Sequence, residues 1–475
     1  MGKSILYLLA MLSCISTSCL SGHASGKTIY VSSSTGSNEN DGLTPQSPVK
    51  TIAEALRKGD TIRLKRGDVF FESIKLNKKY CLAYGQGEKP VIAGWKRIEG
   101  DYWEECKNNI WRICLTDGKR YSGFQIFGSS NLNNIGCIHE YQKDEIHGRR
   151  VQRKADLKVD WDFYQTYHHD KKEVTNHDFD TLYLYSHDNP NYLNLEFSVA
   201  EAAVRICEAT IDNIRMEGFG FGISAMTGSI IRNCDIDAIG GMMAYTASEF
   251  VSYGNGVEFY ISKDVENCVV ENCIISRCYD CGVSIQASGQ GQAQPRNIII
   301  RNNLIERCCQ GWEDFLRNDS NILYKNCRFE NNVVLNSGNT SGFGYPESRF
   351  KFCHVLGNNT QGNKGMIIRN NTFVGGNYYC SGAYQGEYKS NVWEGNTCVI
   401  KRGDYILSNY MGTKDVIRIP KDKGDFASIS EATDDAIRRY RKLTGDETTK
   451  FIIKDEKTIN RQISKLKKKY LRKKK

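Results

Sequence analysis

One phrase recurs down the second half of the chain: ATIDNIRM at 209, SIIRNCDI at 229, VVENCII at 269, IIIRNNLI at 298, CRFENNVV at 327, MIIRNNTF at 366 and VWEGNTCV at 392. Each is a short run of β-type residues, an Asn, then a second short run. With Asn213, Asn233, Asn272, Asn302, Asn331, Asn370 and Gly395 set as equivalents, the intervals are 20, 39, 30, 29, 39 and 25 residues. A period of that size, with strands and no helical pattern between, means stacked coils of strand. The fold expected is all-β, a right-handed parallel β-helix in which every coil gives short strands to three long sheets. Neighbouring coils then lie about 4.8 Å apart. An Asn at the bend tolerates a left-handed backbone and, stacked on the Asn above, is expected to build an internal amide ladder.

The N-terminus carries Lys3, an apolar run from Ile5 to Leu12 and small residues up to Ala24 and Gly26. Residues 1–26 read as a secretory signal. Cys14 or Cys19 offers the alternative of a lipidated lipoprotein, and no later segment has the length of a membrane span. The protein is therefore expected outside the cytoplasm, whether periplasmic, extracellular or held to the outer membrane by lipid, and monomeric. The formal charge of +9 is local, because residues 461–475 hold nine Lys or Arg and no acid. That tail reads as a solvated helix with Ile463, Leu466 and Tyr470 on one face, against the alternative of a tether to acidic glycans or lipids. With the body near neutral, nucleic acid is not an expected partner.

Sixteen cysteines follow the signal, twelve of them between Cys207 and Cys398. Cys234 and Cys273 directly follow a bend Asn, and Cys278 and Cys308 match in successive coils, so a stacked interior column is expected rather than a disulfide framework. A zinc site of Cys278, Cys281, Cys308 and Cys309 lacks the usual paired spacing.

Residues 27–94 contain a strand (TIYV), a turn-rich stretch, the short helix VKTIAEALRKGD and renewed strand alternation. The helix carries Ile52, Ala55 and Leu56 on one face and is expected to plug the open end of the solenoid. Residues 95–192 break the rhythm and hold Trp95, Trp103, Trp111 and Trp161, which reads as an inserted β subdomain with most rings in its core. The main solenoid is placed at 193–410 and a C-terminal cap with the basic tail at 411–475. The phrases TIYVSSSTGSNENDGLTPQSPVKTIAEAL, GDTIRLKRGDVF, IWRICL, YSGFQIFG, TLYLYS, YGNGVEF and CYDCGVSIQ resemble exported β-helix proteins of the pectate-lyase-like superfamily. Among these the chain is most similar to the carbohydrate-active branch that includes α-L-fucosidases and xylan-cleaving glycosidases of Bacteroides-type bacteria. The resemblance covers most of the chain and implies a polysaccharide-processing protein acting on a polysaccharide or oligosaccharide.

Counting nine or ten residues from each bend Asn reaches Phe221, Met242 or Met243, Gly282, Gly311 and Ser341 as starts of the third strand. The extra residues of the two long intervals are expected after that strand, walling a groove. Acids near it are Glu249, Glu258, Asp280, Glu313 and Asp314. Glycoside hydrolysis needs one carboxylic acid and one carboxylate across the scissile bond. Asp280 and Glu313, in adjacent coils, are the expected pair at roughly 6 to 9 Å, with Glu258 as substitute or third member. Tyr279, Trp312 and Phe259 are expected to desolvate one carboxyl, and Gln286, Arg317, Asp314 and Trp312 to bind substrate. No cofactor is expected for hydrolysis. A polysaccharide lyase with Arg317 as base and Ca²⁺ held by Glu313 and Asp314 is the second reading, and a noncatalytic glycan-binding or scaffold protein the third. Local YHHD (His168, His169, Asp170) with His177 reads as surface histidine.

Overall fold

The computed structural model describes residues 26–97, 102–115, 134–141, 148–167, 179–245, 250–261, 264–287, 294–316, 324–338, 353–359, 365–376, 378–382, 391–409 and 416–472. The signal segment, Glu249, Arg317, Ser341 and the YHHD histidines with His177 lie outside them.

Three long sheets run the length of a parallel β-helix. The first has ten strands from Thr28–Val31 to Val392–Glu394, and the second ten from Val69–Phe70 to Lys450–Ile453. The third collects twelve strands, including Phe219–Ala225, Val257–Tyr260, Cys281–Ala287, Gln310–Leu316, Val355–Asn359, Tyr378–Gly382 and Tyr405–Asn409. Unbroken register turns each inward position into a column. Ile211, Ile231, Val270, Ile300, Phe329, Ile368 and Trp393 pair in sequence in the first sheet. Met216, Ile236, Ile275, Ile305, Val334, Phe373 and Cys398 do so in the second. Both columns are buried in one continuous core, and the stacking of such columns is what holds a solenoid together.

The bend residues Asn213, Asn233, Asn272, Asn302, Asn331 and Asn370 and Gly395 all have φ between 54° and 65°, the left-handed conformation expected of them. The interior amide ladder is one residue further on. Asn303, Asn332, Asn371 and Asn396 are at most 1% exposed. Asn303 Nδ2 donates to Asn332 Oδ1 (3.0 Å), Asn332 Nδ2 to Asn371 Oδ1 (3.2 Å) and Asn371 Nδ2 to Asn396 Oδ1 (3.0 Å). The left-handed residue turns the chain, so its successor points inward; Cys234 and Cys273 fill the same place in earlier coils. Left-handed Asn residues do bond along the stack at another corner, where Asn326 donates to Asn297 (2.7 Å) and Asn297 to Asn267 (3.0 Å). All sixteen described cysteines are free thiols, and thirteen are buried.

The short helix Ile52–Lys58 is capped by Thr51, whose side chain accepts from Glu54 N, and buries Ile52 and Ala55 in the solenoid core. The inserted region forms a five-stranded sheet around Trp103, Trp111, Phe163 and Leu184. One strand, Leu195–Cys207, joins the two bodies. Its first half pairs antiparallel with Ile135–Glu140, and its second half pairs parallel with Ile74–Asn77 and Phe219–Ala225.

At the far end the helix Ile429–Thr444 buries Tyr440 against Tyr379 and Phe451. The basic helix Glu456–Arg472 lies along the outer face of the second sheet, where Ile459, Ile463, Leu466 and Tyr470 pack on Leu304, Leu335, Val374 and Val399. Its Tyr470 hydroxyl donates to the carbonyls of Cys273 (3.0 Å) and Asn302 (2.5 Å). Among the described residues no helix is long and apolar enough to cross a membrane.

Candidate functional site

In the third sheet, side chains alternate between the core and the outer face. Ile223, Val257, Val283, Trp312 and Val355 form an inward column; Ser224, Glu258, Ser284, Glu313 and Leu356 form the adjacent outward one. Glu258 and Glu313 therefore share a row, with Ser284 between, and their Cα atoms are two strand spacings, about 10 Å, apart. Asp280 sits at the corner just before the strand that carries Ser284.

The structure corrects two expected substrate contacts. Trp312 is fully buried and packs on Phe329 with ring centroids 5.4 Å apart, so it is core. Asp314 shares the register of Ile285, itself paired with Phe259, and is 2% exposed. Alternation along one strand sends Glu313 out and its two neighbours in. Phe259 is core for the same reason, so neither it nor Trp312 covers the carboxyls on the outer face of the sheet.

The insertions also differ from expectation, because they precede the third strand. In the coil from 233 to 272 the extra residues form a hairpin of Met242–Tyr245 with Phe250–Tyr253, ahead of Val257–Tyr260. Met242 and Met243 belong to that hairpin, while Phe221, Gly282 and Gly311 lie in third-sheet strands. The chain leaves and re-enters the coil at Gly240 and Gly254, which approach so closely that a Cβ on Gly254 would meet the Gly240 Cα at 2.1 Å. In the coil from 331 to 370, the strand Val355–Asn359 comes late in the same way.

Each carboxyl has its own hydrogen-bond setting. Glu313 is 5% exposed, and its Oε2 accepts from Gln286 Nε2 (3.1 Å) and Ser284 Oγ (3.3 Å). Gln286, expected to hold a sugar hydroxyl, is thus engaged with the acid. Glu258 Oε2 accepts from Asn255 Nδ2 at 2.7 Å, and Asn255 Oδ1 accepts from Cys281 N at 3.0 Å, which fixes the amide. In the orientation that satisfies both its ends, the Gln310 amide donates to Asp280 O and Oδ1 at 3.1 Å.

The three groups also feel one another. Burial, and then the Asp280 and Glu258 charges, push the Glu313 carboxyl well above the usual range, against the two hydrogen bonds that favour its ionised form. Burial and the Glu258 charge raise Asp280 to about 7. Glu258 is raised by burial, opposed by its bond from Asn255. Carboxyls whose environments drive their titrations apart are the raw material of acid–base catalysis. Ser284, Asn255 and Gln310 escaped the sequence reading. Asn255, in GNGVE three residues before the acid, carried the one visible signal. Among the described residues no group of three or more His, Cys, Asp or Glu side chains is arranged to hold a metal ion.

No family model matches the chain, and no curated protein does. Among solved structures it is similar to XylC in complex with xylose, with 13% identity and a TM-score of 0.46 over 90% of this chain and 82% of that one. It is also similar to the GH136 lacto-N-biosidase from Eubacterium ramulus, with 15% identity and a TM-score of 0.42, covering 79% of this chain and 60% of that one. The tailspike protein gp49 from Pseudomonas phage LKA1 follows at 10% identity and a TM-score of 0.18, over 74% and 72%. The parallel β-helix assignment rests on this chain's own strand pairing.

Proposed function

We propose that the protein is an exported glycoside hydrolase whose acid is Glu313 and whose second carboxylate is Glu258, with Asp280 tuning the pair. One observation carries this reading: three carboxyl groups from successive coils gather along one side of the third sheet, where the Glu258 charge adds to burial in raising Asp280 and the Asp280 and Glu258 charges add to burial in raising Glu313. Glu313, the most buried of them, keeps its proton and donates it to the leaving glycosidic oxygen. Glu258, held toward its ionised form by the Asn255 amide, takes the proton of the attacking water. A spacing of two strands leaves room for that water and favours inversion at the anomeric carbon over a covalent intermediate. Asp280, which titrates near neutrality, sets the field that both groups feel.

The substrate class rests on the sequence resemblance to polysaccharide-processing solenoids, and export on the leader at residues 1–26. The first substrates to test are xylans and α-fucosylated glycans. Purified protein should release reducing ends from one of them, and ¹H NMR of the first product should show the inverted anomer. Glu313→Gln and Glu258→Gln should each lower kcat by at least a hundredfold with Tm held. Wild-type rates in both variants would reject the pair, and products with an unsaturated, ultraviolet-absorbing end would assign a lyase instead.

A further inference from the structure

A concave site lies around the corner from the carboxyls, between the outer face of the second sheet and the base of the inserted subdomain. Its volume is about 410 Å³, within the range of small-molecule sites. We propose that it binds a neutral sugar unit of a glycan chain, without chemistry.

Its apolar surface is unusually open. Val69 is 40% exposed, Phe71 41% and Tyr141 42%, and all three of these large hydrophobic side chains face this one cavity. Trp95 backs them, its ring tilted against that of His139 with centroids 4.2 Å apart. A pyranose ring presents flat C–H faces and an equatorial rim of hydroxyls, so it needs an aromatic platform and planar groups that bond two hydroxyls at once.

The rim supplies those planar groups in neutralised pairs. Arg97 meets Glu196 at 2.7 Å and lies 3.7 Å from the Tyr141 ring centroid. Arg215 bonds Glu217 at 2.6 Å, and Arg277 Nε donates to Asp237 Oδ1 at 2.8 Å. With each guanidinium matched by a carboxylate, no spare positive charge remains to select a uronate or sulfated sugar. The same pairing keeps these acids out of proton transfer. Trp95 packs in one cluster with Tyr279, the residue before Asp280, so the two sites stand back to back at one corner.

Affinity electrophoresis of the full chain through gels containing arabinoxylan, xyloglucan, arabinogalactan or polygalacturonate tests the site. At least one neutral polymer should retard the protein. Phe71→Ala and Val69→Trp should each weaken that retardation about tenfold with unchanged Tm, the first by removing the platform and the second by filling the cavity. Reducing-end release, assayed separately on the same polymers, reports on the hydrolase reading, so that reading can fail while the binding site stands. Retardation only by polygalacturonate, none by any neutral polymer, or wild-type retardation in both cavity variants would overturn the proposal.

Discussion

Asp280→Asn should make the protein more stable, and only at high pH. The carboxyl is half-buried, and its titration moves from 3.8 to about 7 because burial and the Glu258 charge oppose ionisation. The native state thus holds this proton more tightly than the unfolded chain. Its contribution is fully present below about pH 4 and is lost as pH rises through about 7. Ionising the group fully in the fold would cost roughly 4 kcal/mol, which solvent access to the half-buried side chain reduces to about 2 kcal/mol. Asn keeps an oxygen for the Gln310 amide and cannot ionise, so that cost disappears. For a chain of 475 residues, an unfolding entropy near 1 kcal/mol per degree converts about 2 kcal/mol into about 2 °C. Melting curves of wild type and variant should coincide at pH 4 and separate by about 2 °C at pH 8, with the variant higher. Parallel curves, or a variant that melts lower at pH 8, would refute the reasoning, because burial and the Glu258 charge would then not oppose ionisation of Asp280.

Hydrolytic kcat should fall as pH rises past the Glu313 titration, and Asp280→Asn should shift that alkaline limb downward, because removing a neighbouring negative charge eases ionisation of the acid; a pH–rate profile reads it. Asn332→Ala strips an acceptor from Asn303 N (2.9 Å) and a donor from the Ile300 carbonyl (3.0 Å), and should destabilise by about 3 kcal/mol or more in denaturant unfolding. Tyr470→Phe removes both hydroxyl bonds to the solenoid and should speed amide exchange across residues 466–472, with little effect on Tm. In native protein, thiol reagent should modify Cys106, Cys114 and Cys207 promptly, and the thirteen buried cysteines only after unfolding, since burial drives thiols such as Cys81, Cys281 and Cys353 well away from the thiolate.

The coil repeat was legible because Asn marks each left-handed bend in a string whose other positions alternate strongly. The interior ladder was displaced by one because three of the phrases read NN, and residue type does not say which Asn turns the chain and which follows it inward. The site was legible as a neighbourhood: Asp280, Glu258 and Glu313 come together because coil stacking makes neighbours of residues roughly thirty apart. Its finer grain was not. Grouping Trp312, Glu313 and Asp314 on one face ignores the two-residue alternation of QGWEDFL, which fixes two of the three as interior. Counting residues from the bend also assumes that every coil reaches its third strand without detour, and the hairpin at 242–253 breaks that assumption. The pairing of Asn255 with Glu258 and the charge-matched cavity depend on side-chain placement across coils, which no local pattern encodes.

The parallel pairing that runs from Val257–Tyr260 through Cys281–Ala287 to Gln310–Leu316 has a mechanical consequence. It locks each rung to the next at a pitch dictated by backbone stacking, so the interval between Glu258 and Glu313 behaves as a ruler cut in whole strands. Swapping Glu for Asp trims a side chain without moving the graduations. Converting such a site from one stereochemical outcome to the other would require adding or deleting an entire turn of the solenoid.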